Sequence, residues 1–295
     1  MNRRLLKILA LLTVLAFVLG ACQTGQPQIE TEGPEEIFES GSYMADLQKK
    51  GKIVIGVKYD VPQFGFLNPA TNKPEGFDVG LANLIGEKLG VDVEFVEAVS
   101  ANRIPFLNED KVDLIISTMT INEERKQQID FSIVYYVAQQ RLLVKKDGNI
   151  KSVSDLNTRK GTVCSASGST SEKNIRVAAP EANVVLQDGY SQCFQLLQNA
   201  QADAVTTDDV ILVGLLKNDP QNFQIAGDPF SKEPYGMGIK KGRTGFKEFV
   251  DGVIKEAKSD GTWEELYKKW VEPVTGAGAE PPPDDVPAEA PSPPA

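Results

Sequence analysis

The chain has 295 residues, of which 41% are apolar, and its formal net charge is -10. It contains no histidine, which excludes Ser-His-Asp and Cys-His catalysis and every histidine-ligated metal site. Most of the negative charge lies at the two ends, because residues 43–272 hold 32 acids against 28 bases. No cluster of Lys and Arg indicates a nucleic-acid surface. We expect a folded core of about 230 residues, forming two domains or one large α/β unit.

The N-terminus has the pattern of a secretory leader. Three basic residues within positions 2–7 precede a run of 12 residues at 8–19 that is apolar except for Thr13 and is too short for a comfortable membrane span. The run ends in Leu-Gly-Ala-Cys, which resembles the lipobox of bacterial lipoproteins. We predict a signal peptide over 1–21 and diacylation of Cys22, giving an extracytoplasmic protein anchored to the outer face of the cell membrane, or a periplasmic one. An ordinary leader with an incidental cysteine is the alternative.

Two polar flanks surround the core. Residues 22–42 are rich in Gly, Pro and Glu, which predicts a flexible tether. Residues 273–295 contain eight of the 18 prolines, which predicts a disordered Pro-rich tail.

Export changes the interpretation of the two remaining cysteines. Outside the cytoplasm, Cys164 and Cys193 favour a disulfide, which would stabilise the fold by roughly 3 to 4 kcal/mol in the chain-entropy model. Two buried free thiols are the alternative.

Between the flanks, β-rich runs alternate with helical patterns, which is typical of α/β units with a largely parallel sheet. The first set comprises strands at 52–58, 91–96 and 112–116 and helices at 79–89 and 103–109. The second comprises strands at 141–145, 161–164, 183–187 and 204–206, and helices from 171, at 191–201 and at 210–217. A strand at 236–240 and helices at 246–258 and 262–271 should return to the first lobe.

A faint repeat supports two similar lobes. An apolar residue, two spacers and a Leu lead to Asp113 in the first set and to Asp203 in the second, and each Asp enters a strand that ends in hydroxyl residues. Since ligands of open α/β sheets bind beyond the carboxyl ends of strands, two such ends would frame a cleft between the lobes.

The run Gly76-Phe77-Asp78-Val79-Gly80-Leu81-Ala82, with Ile85, Leu89 and Gly90, resembles the signature of the extracellular solute-binding proteins of family 3, which supply polar amino acids to ABC importers. One position departs, since the family usually has a second acid at Gly80. The resemblance implies an α/β, two-lobed periplasmic-binding-protein (Venus flytrap) fold of type II, with chain crossings near Gln139–Gln140 and near Tyr235. It divides the core into lobe 1, residues 43–139 plus 236–272, and lobe 2, residues 140–235.

The same resemblance indicates which residues would bind the α-carboxylate and the α-ammonium of an amino acid. The hydroxyl-rich strand end at Ser117 leads into a helix start, and the family uses the positions of Thr118, Thr120 and Arg125, with Thr170 from lobe 2, for the α-carboxylate. Asp208 matches the acceptor of the α-ammonium, with Asp209 as a competitor. From the residues alone, Arg125 suits a surface ion pair, Ser169 and Glu172 suit a capping box, and either Asp suits a helix N-cap.

The side-chain end of the site resembles that of glutamate/aspartate-binding members. In those members basic residues at the positions of Lys58 and Arg103 hold the distal carboxylate; Ser100 lies beside them, and Tyr190 stands where some members have His. Lys58, Arg103 and Arg125 against Asp208 give a site charge of +2, which favours L-glutamate or L-aspartate over glutamine. Phe64 is a candidate for the pocket wall. Solvent-facing positions are the alternative for Lys58 and for Arg103.

The resemblance implies a solute-binding protein without enzyme activity, cofactor or metal, whose partners are ABC permease subunits. A receptor for glutamine or another polar amino acid is the alternative ligand assignment. A dehydratase-type enzyme on the same fold would need an acid or base other than His. A sensor whose closed form contacts a signalling protein is a third class.

Overall fold

A computed structural model of the chain describes residues 38–293. The predicted signal peptide, the lipidation site Cys22 and most of the predicted tether lie outside the described residues. Within the described part of the chain, no helix combines the length and the apolar character needed to cross a membrane.

Lobe 1 contains the first sheet and most of the first set of elements. Its helices are α1 (Tyr43–Lys50), α2 (Phe77–Leu89), α3 (Arg103–Asn108) and α4 (Glu123–Lys126). Its strands are β1 (Lys52–Val57), β2 (Asp60–Val61), β3 (Gly65–Asn68), β4 (Lys73–Glu75), β5 (Asp92–Glu97), β6 (Leu114–Ile115) and β7 (Asp130–Phe131). The chain then leaves through β8 (Tyr136–Ala138).

Lobe 2 contains the second sheet. Its strands are β9 (Gln140–Lys145), β10 (Thr162–Ala166), β11 (Asn183–Gln187), β12 (Ala204–Asp208) and β13 (Phe223–Ala226). Its helices are α5 (Val153–Thr158), α6 (Thr170–Ala178), α7 (Tyr190–Gln198) and α8 (Asp209–Leu216). The chain returns through β14 (Glu233–Tyr235) to β15 (Gly238–Ile239), α9 (Thr244–Asp260), α10 (Thr262–Trp270) and α11 (Glu272–Thr275).

Each lobe is built on a five-stranded mixed sheet. The strand orders are β5-β1-β6-β15-β7 in lobe 1 and β11-β10-β12-β9-β13 in lobe 2. β1 pairs in parallel with β5 and β6, whereas β15 runs antiparallel to β6 and β7. Lobe 2 repeats this arrangement, with β9 antiparallel to β12 and β13. The sheets are therefore less parallel than the alternating pattern predicts. In each sheet the strand that directly follows a crossing, β9 in lobe 2 and β15 in lobe 1, runs antiparallel to its neighbours.

The two aspartates of the faint repeat occupy equivalent places. The Asp113 carboxylate accepts a hydrogen bond from the Val54 N–H at 2.8 Å, and the Asp203 carboxylate accepts one from the Thr162 N–H at 2.8 Å. In return, the Asp113 N–H donates to the Val54 carbonyl and the Asp203 N–H donates to the Thr162 carbonyl. Each Asp thus fixes the register between its own strand and the neighbouring parallel strand.

The two crossings lie side by side. β8 and β14 form an antiparallel pair in which Tyr136 faces Tyr235 and Ala138 faces Glu233. This pair confirms the two crossings that the resemblance implies, with Gln140 as the first residue of the lobe 2 sheet.

Cys164 of β10 and Cys193 of α7 form a disulfide, and both are fully buried. The bridge fixes α7 against the sheet of lobe 2. The alternative, two buried free thiols, is therefore wrong.

The structure differs from the expectation of a disordered tail at 273–293. The Asp284 carbonyl accepts from the Val134 N–H at 2.9 Å, and Glu289 exchanges two backbone hydrogen bonds with Lys232. Lys258 donates to the Pro282 carbonyl at 2.8 Å and pairs with Asp284. Prolines restrict the unfolded chain, which lowers the entropy lost on ordering, and the tail acids meet basic partners. At the other flank, packing begins before Tyr43, since the Phe38 and Phe249 ring centroids are 5.4 Å apart.

We expect a chain that ends at Ala277 to melt about 2 to 6 °C lower than the full chain, because it loses these hydrogen bonds and ion pairs, worth about 1 to 2 kcal/mol in sum. Scanning calorimetry of the two proteins measures the difference. Lys258→Met in the full chain should reproduce part of the loss and should have no such effect in the shortened chain. Identical melting of the full and shortened chains would show that the tail contributes nothing.

Candidate functional site

A cleft between the lobes gathers the polar strand ends. The carboxyl ends of β1 and β6 face it from lobe 1, and those of β10 and β12 face it from lobe 2. A cavity of about 400 Å³ opens at its edge, lined by Ser100 and Arg125 from lobe 1 and by Gly168 and Thr170 from lobe 2, but Lys58, Arg103 and Asp208 are not among its lining residues. From the sequence we expect a ligand cleft framed by these polar strand ends.

Arg103 fixes the backbone at the floor of the cleft. It begins α3, and its side chain points inward. Its Nη1 donates to the carbonyls of Ser117 at 2.9 Å and Thr118 at 3.1 Å, and its Nε donates to the Ser100 carbonyl at 3.2 Å. These bonds use Nε and Nη1 of the guanidinium and do not involve Nη2. The solvated position that we considered for Arg103 is wrong.

Thr118 is held in a backbone conformation that a threonine rarely adopts. Its φ is 43°, in the left-handed region, which costs about 1 to 3 kcal/mol for a residue of this type. Asp78 accepts from the Thr118 N–H at 2.9 Å and from the Tyr135 hydroxyl at 2.9 Å. Burial raises the pKa of Asp78 to about 6, against the effect of these two donors. Asp78 and Arg103 thus hold opposite sides of the same strained turn.

Lys58 follows β1 and is also directed into the cleft. Its Nζ donates to the Ser100 hydroxyl at 3.0 Å and lies 5.4 Å from the centre of the Tyr190 ring. Burial, and after it the nearby Arg103 guanidinium, lower the pKa of Lys58 to about 8. The structure therefore brings Lys58, Ser100, Arg103 and Tyr190 together at one end of the cleft.

Arg125 bridges the lobes near the mouth of the cleft. It donates to the Thr120 carbonyl at 2.7 Å in lobe 1 and to the Gly168 carbonyl at 3.4 Å in lobe 2. Burial lowers its pKa, and Arg103 adds to this effect, but a guanidinium stays protonated at neutral pH. The Thr120 and Thr170 hydroxyls are 3.3 Å apart across the cleft.

The two helix starts beside Arg125 differ in what they offer a ligand. α4 has four residues, and the Asn122 side chain already caps it by accepting from the Arg125 N–H at 2.9 Å. α6 begins at Thr170, so its first N–H groups have no partner within the helix. Ser169 caps this helix through the Glu172 N–H, whereas the Glu172 carboxylate accepts from the Gly168 N–H, so only half of the expected capping box forms.

Asp208 is the acid that faces the cleft. Its Oδ2 accepts a hydrogen bond from the Tyr235 hydroxyl, and its Oδ1 is buried without a partner among the described residues. Burial raises the pKa of Asp208 well above its usual range, and Glu233 raises it further. Asp209 instead accepts from the N–H groups of Gln139 and Val210, at 3.2 and 2.9 Å. Asp209, the alternative acceptor, thus binds the backbone of the first crossing at Gln139 and the first turn of α8 at Val210.

Two of the predicted site residues lie behind the cleft surface. The Ser117 hydroxyl donates to the Ala98 carbonyl at 2.9 Å, so it supports the turn beneath the cleft. Phe64 is fully buried, and its ring lies 5.1 Å from that of Tyr136 and 5.9 Å from that of Tyr235. It packs beneath the hydroxyl donor of Asp208.

Sequence reasoning missed several residues of the site. Glu233 accepts from the Thr120 hydroxyl at 2.6 Å and from Asn174 at 2.8 Å, and both are buried at the cleft. Tyr235 was noted only as a crossing position, and Asp78 only as part of a family signature. An acid in the otherwise apolar first turn of α2 was a signal for Asp78, whereas nothing local distinguished Glu233.

The three cations of the site are buried, and their hydrogen-bond partners among the described residues are not acids. Lys58, Arg103 and Arg125 are 1%, 2% and 7% exposed, and their hydrogen-bond partners within residues 38–293 are neutral oxygens. Asp78 and Glu233 also belong to the site, so the charge of +2 counted from the sequence omitted two buried acids. With Asp208 they make three acids against three cations, a formal charge of 0 when all six are ionised, and Asp78, Glu233 and Asp208 each favour the charged form of Lys58 or Arg125. Within the described residues, however, none of these carboxylates hydrogen-bonds to Lys58, Arg103 or Arg125. Among the described residues, no group of acids or cysteines is arranged to hold a metal ion.

The similarity to known proteins extends over most of the chain. The ABC transporter glutamine-binding protein GlnH of Bacillus subtilis is 42% identical over 268 residues, which are 89% of this chain and 96% of that protein. The glutamine-binding protein of Geobacillus stearothermophilus is 44% identical over 243 residues, or 80% and 91% of the two chains. The glutamate-binding protein GluB of Corynebacterium glutamicum is 32% identical over 232 residues, or 74% and 78%.

The chain is also similar to a solved structure and matches a family model. An ancestral arginine-binding protein bound to glutamine superposes with a TM-score of 0.71 at 38% identity, covering 75% of this chain and 98% of that chain. The model of the bacterial extracellular solute-binding proteins, family 3, matches residues 53–273. Since this match covers well over half of the chain, the protein is a member of the bacterial extracellular solute-binding proteins of family 3.

Proposed function

We propose that the protein is an extracytoplasmic receptor that captures one acidic amino acid between its lobes and delivers it to an ABC importer. Family membership and the named relatives support an amino acid as the ligand. The observation that carries the acidic assignment is the buried pair Lys58 and Arg103, which has neutral partners. We retain lipid attachment at Cys22 as part of this proposal, supported by the leader sequence.

The ammonium group of the ligand belongs at Asp208. A buried carboxylate oxygen without a donor is costly, and an ammonium supplies both a donor and the opposite charge. Glu233 lies close enough to raise the pKa of Asp208, so the two acids favour a cation at the same place.

The α-carboxylate belongs between Arg125 and the start of α6. Arg125 contacts both lobes there, and the unpaired N–H groups at a helix start favour an anion. The Thr120 and Thr170 hydroxyls add neutral donors from opposite sides of the cleft. The ligand would thus bind lobe 1 and lobe 2 through one group.

The distal group of the ligand would then meet Lys58 and Arg103. A carboxylate there offsets two desolvated cations, whereas an amide leaves them unpaired. Glutamine is nevertheless the second candidate, because two relatives at 42% and 44% identity are named as glutamine-binding proteins. A lysine whose pKa is near 8 can lose its proton, which would lower the cost of facing an amide. A dehydratase-type activity or a sensing role has no such support from the site.

We expect L-glutamate or L-aspartate to bind at least about tenfold to a hundredfold more tightly than L-glutamine, because a buried cation left facing an amide costs about 1.5 to 3 kcal/mol. Titration calorimetry of the three amino acids at neutral pH measures the ratios. Lys58→Met should narrow the preference, since one of the two cations is removed. Equal or tighter binding of glutamine to the wild-type protein would refute the acidic assignment.

The preference should also depend on pH. Below about pH 8 Lys58 is charged in the free protein, so an acidic ligand binds without taking up a proton there. Above that pH the ligand must restore the proton, and the affinity for glutamate falls by up to about tenfold per pH unit. The ratio of glutamate to glutamine affinity, measured by calorimetry from pH 6.5 to 9, cancels the ammonium group that both ligands share. A flat ratio, or the same slope in Lys58→Met, would contradict this role for Lys58.

Asp208→Asn should weaken binding of the amino acid about thirtyfold or more, because a desolvated ammonium loses its counter-ion at a cost of 2 kcal/mol or more. The free protein should melt no lower, since the variant removes an incompletely paired buried acid. Asp209→Asn is the matched control, because Asp209 is bound to backbone N–H groups instead. Calorimetry and thermal melting test both variants, and a larger loss of affinity in Asp209→Asn would reverse the assignment.

A further inference from the structure

One contact between the lobes is made by a group that none of the ligand positions uses. Asp60 lies in β2 of lobe 1, and its Oδ2 accepts from the Tyr190 N–H at 2.7 Å and from the Ser191 N–H at 3.4 Å. Both N–H groups belong to the first turn of α7 in lobe 2. A carboxylate of one lobe therefore completes the start of a helix in the other.

α7 cannot complete this turn from its own sequence. Its N-cap is Gly189, which has no side-chain oxygen, and its first turn contains no acid. The Gln192 side chain reaches back to the Gly189 N–H at 3.2 Å but leaves the next N–H groups open. In contrast, α5 and α6 are capped by their own serines, Ser152 and Ser169. Within the described part of lobe 2, α7 thus relies on lobe 1 for a carboxylate that suits its positive end.

The approach of Asp60 to Gly189 leaves no room for a Cβ atom unless the Asp60 side chain moves. A Cβ atom on Gly189 would lie 2.5 Å from Asp60 Oδ2 and 3.2 Å from its Cγ. The φ of Gly189 is -130°, which any residue adopts without strain. A side chain at position 189 would therefore displace Asp60 when the two lobes are together and would meet no such obstacle when they are apart.

The contact between Asp60 and the Tyr190 N–H lies beside the end of the cleft that contains Lys58. The Tyr190 ring faces Lys58 Nζ at 5.4 Å, while the Tyr190 N–H is bound by Asp60. The disulfide from Cys193 to Cys164 fixes α7 on its own sheet, so Asp60 meets a rigid partner. Bringing Asp60 to α7 thus also brings the Tyr190 ring to Lys58.

We propose that Asp60 is a closure-positioning residue, whose carboxylate caps α7 across the cleft and so strengthens ligand binding without touching the ligand. This inference rests on the proposed function, because it takes ligand capture to be coupled to closure. In an open form Asp60 and the first turn of α7 are both hydrated, so the bond favours the closed form alone.

The test is a double-mutant cycle of Asp60→Ala and Gly189→Ala, measured with the amino acid that most raises the melting temperature of the wild-type protein in a panel of all 20. We expect Asp60→Ala to weaken binding about three- to thirtyfold, the range of a lost helix cap, chiefly through faster dissociation. Gly189→Ala should weaken binding at least as much in the wild-type background, because its methyl group meets Asp60. In the Asp60→Ala background it should cost nothing further.

Two further variants separate this role from others. Asp60→Asn keeps an acceptor for the N–H groups and should retain most of the affinity, whereas a charge effect on Lys58 would make it as weak as Asp60→Ala. Glu124→Gln removes a different contact between the lobes, the half-exposed pair with Lys173, and should change affinity less than twofold. Melting of the ligand-free variants at the wild-type temperature shows that each one folds.

Unchanged affinity in Asp60→Ala would overturn the inference, and so would an equal cost of Gly189→Ala in both backgrounds or an Asp60→Asn as weak as Asp60→Ala. The proposed function is tested separately by the panel, because a protein that binds glutamine or no amino acid fails there, whatever Asp60 does. Hydrogen exchange at the amides of Tyr190 and Ser191 is measured with a saturating concentration of the amino acid chosen from the panel, so that the closed form is populated. It should be faster in Asp60→Ala than in the wild-type protein, and equal exchange would count against the cap.

Discussion

The site depends on Arg103, whose buried guanidinium binds three backbone carbonyls beside one strand end. These bonds to Ser100, Ser117 and Thr118 fix the segment after β6 relative to the start of α3. Asp78 holds the opposite side of Thr118 through its N–H, and the left-handed φ of Thr118 persists under this double constraint. A floor that is rigid before binding reduces the ordering cost that a ligand must overcome.

The cost of this arrangement is buried positive charge that no carboxylate of the described residues contacts directly. Arg103 lowers the pKa of both Lys58 and Arg125, which identifies it as the cation between the other two. Carboxylates are available nearby, but Asp78 and Glu233 are bound by neutral donors that keep them away from ion pairing. A site that paired its own charges would be more stable and would have little left to offer an anionic ligand.

The sequence predicted most of the regular elements, because their periodicity is local. The helix expected at 79–89 is Phe77–Leu89, and the strand expected at 183–187 is Asn183–Gln187. Seven short strands were missed, since two to four residues carry little measurable period: β2, β3, β4, β7, β8, β13 and β14. The helices α1 and α5 were missed as well. The tail was expected to be disordered because it is rich in proline and poor in apolar residues. Composition does not show which residues elsewhere in the chain bind a segment, and here Val134 and Lys258 donate hydrogen bonds to tail carbonyls.

The candidate site was predictable only in part. Lys58, Arg103, Arg125 and Asp208 were assigned through a family resemblance, since a charged residue at a strand end or helix start could equally face water. Glu233 and Asp60 had no such guide. Their contacts, with Thr120 and with Tyr190, join segments more than 100 residues apart in the chain. Such pairs are fixed by how the two lobes meet, which no local pattern records.

The division of charge between the lobes explains why a zwitterion suits closure. The three cations belong to lobe 1, whereas Asp208 ends β12 of lobe 2. A ligand carboxylate therefore reinforces attachment to lobe 1, and only an ammonium gives lobe 2 a matching charge. A dicarboxylic acid without an amino group would bring negative charge toward the unpartnered Asp208 Oδ1, which opposes closure. In the proposed binding mode the amino group would link binding to closure, and neutral contacts such as Thr120 with Thr170 would add to the closed form without deciding it.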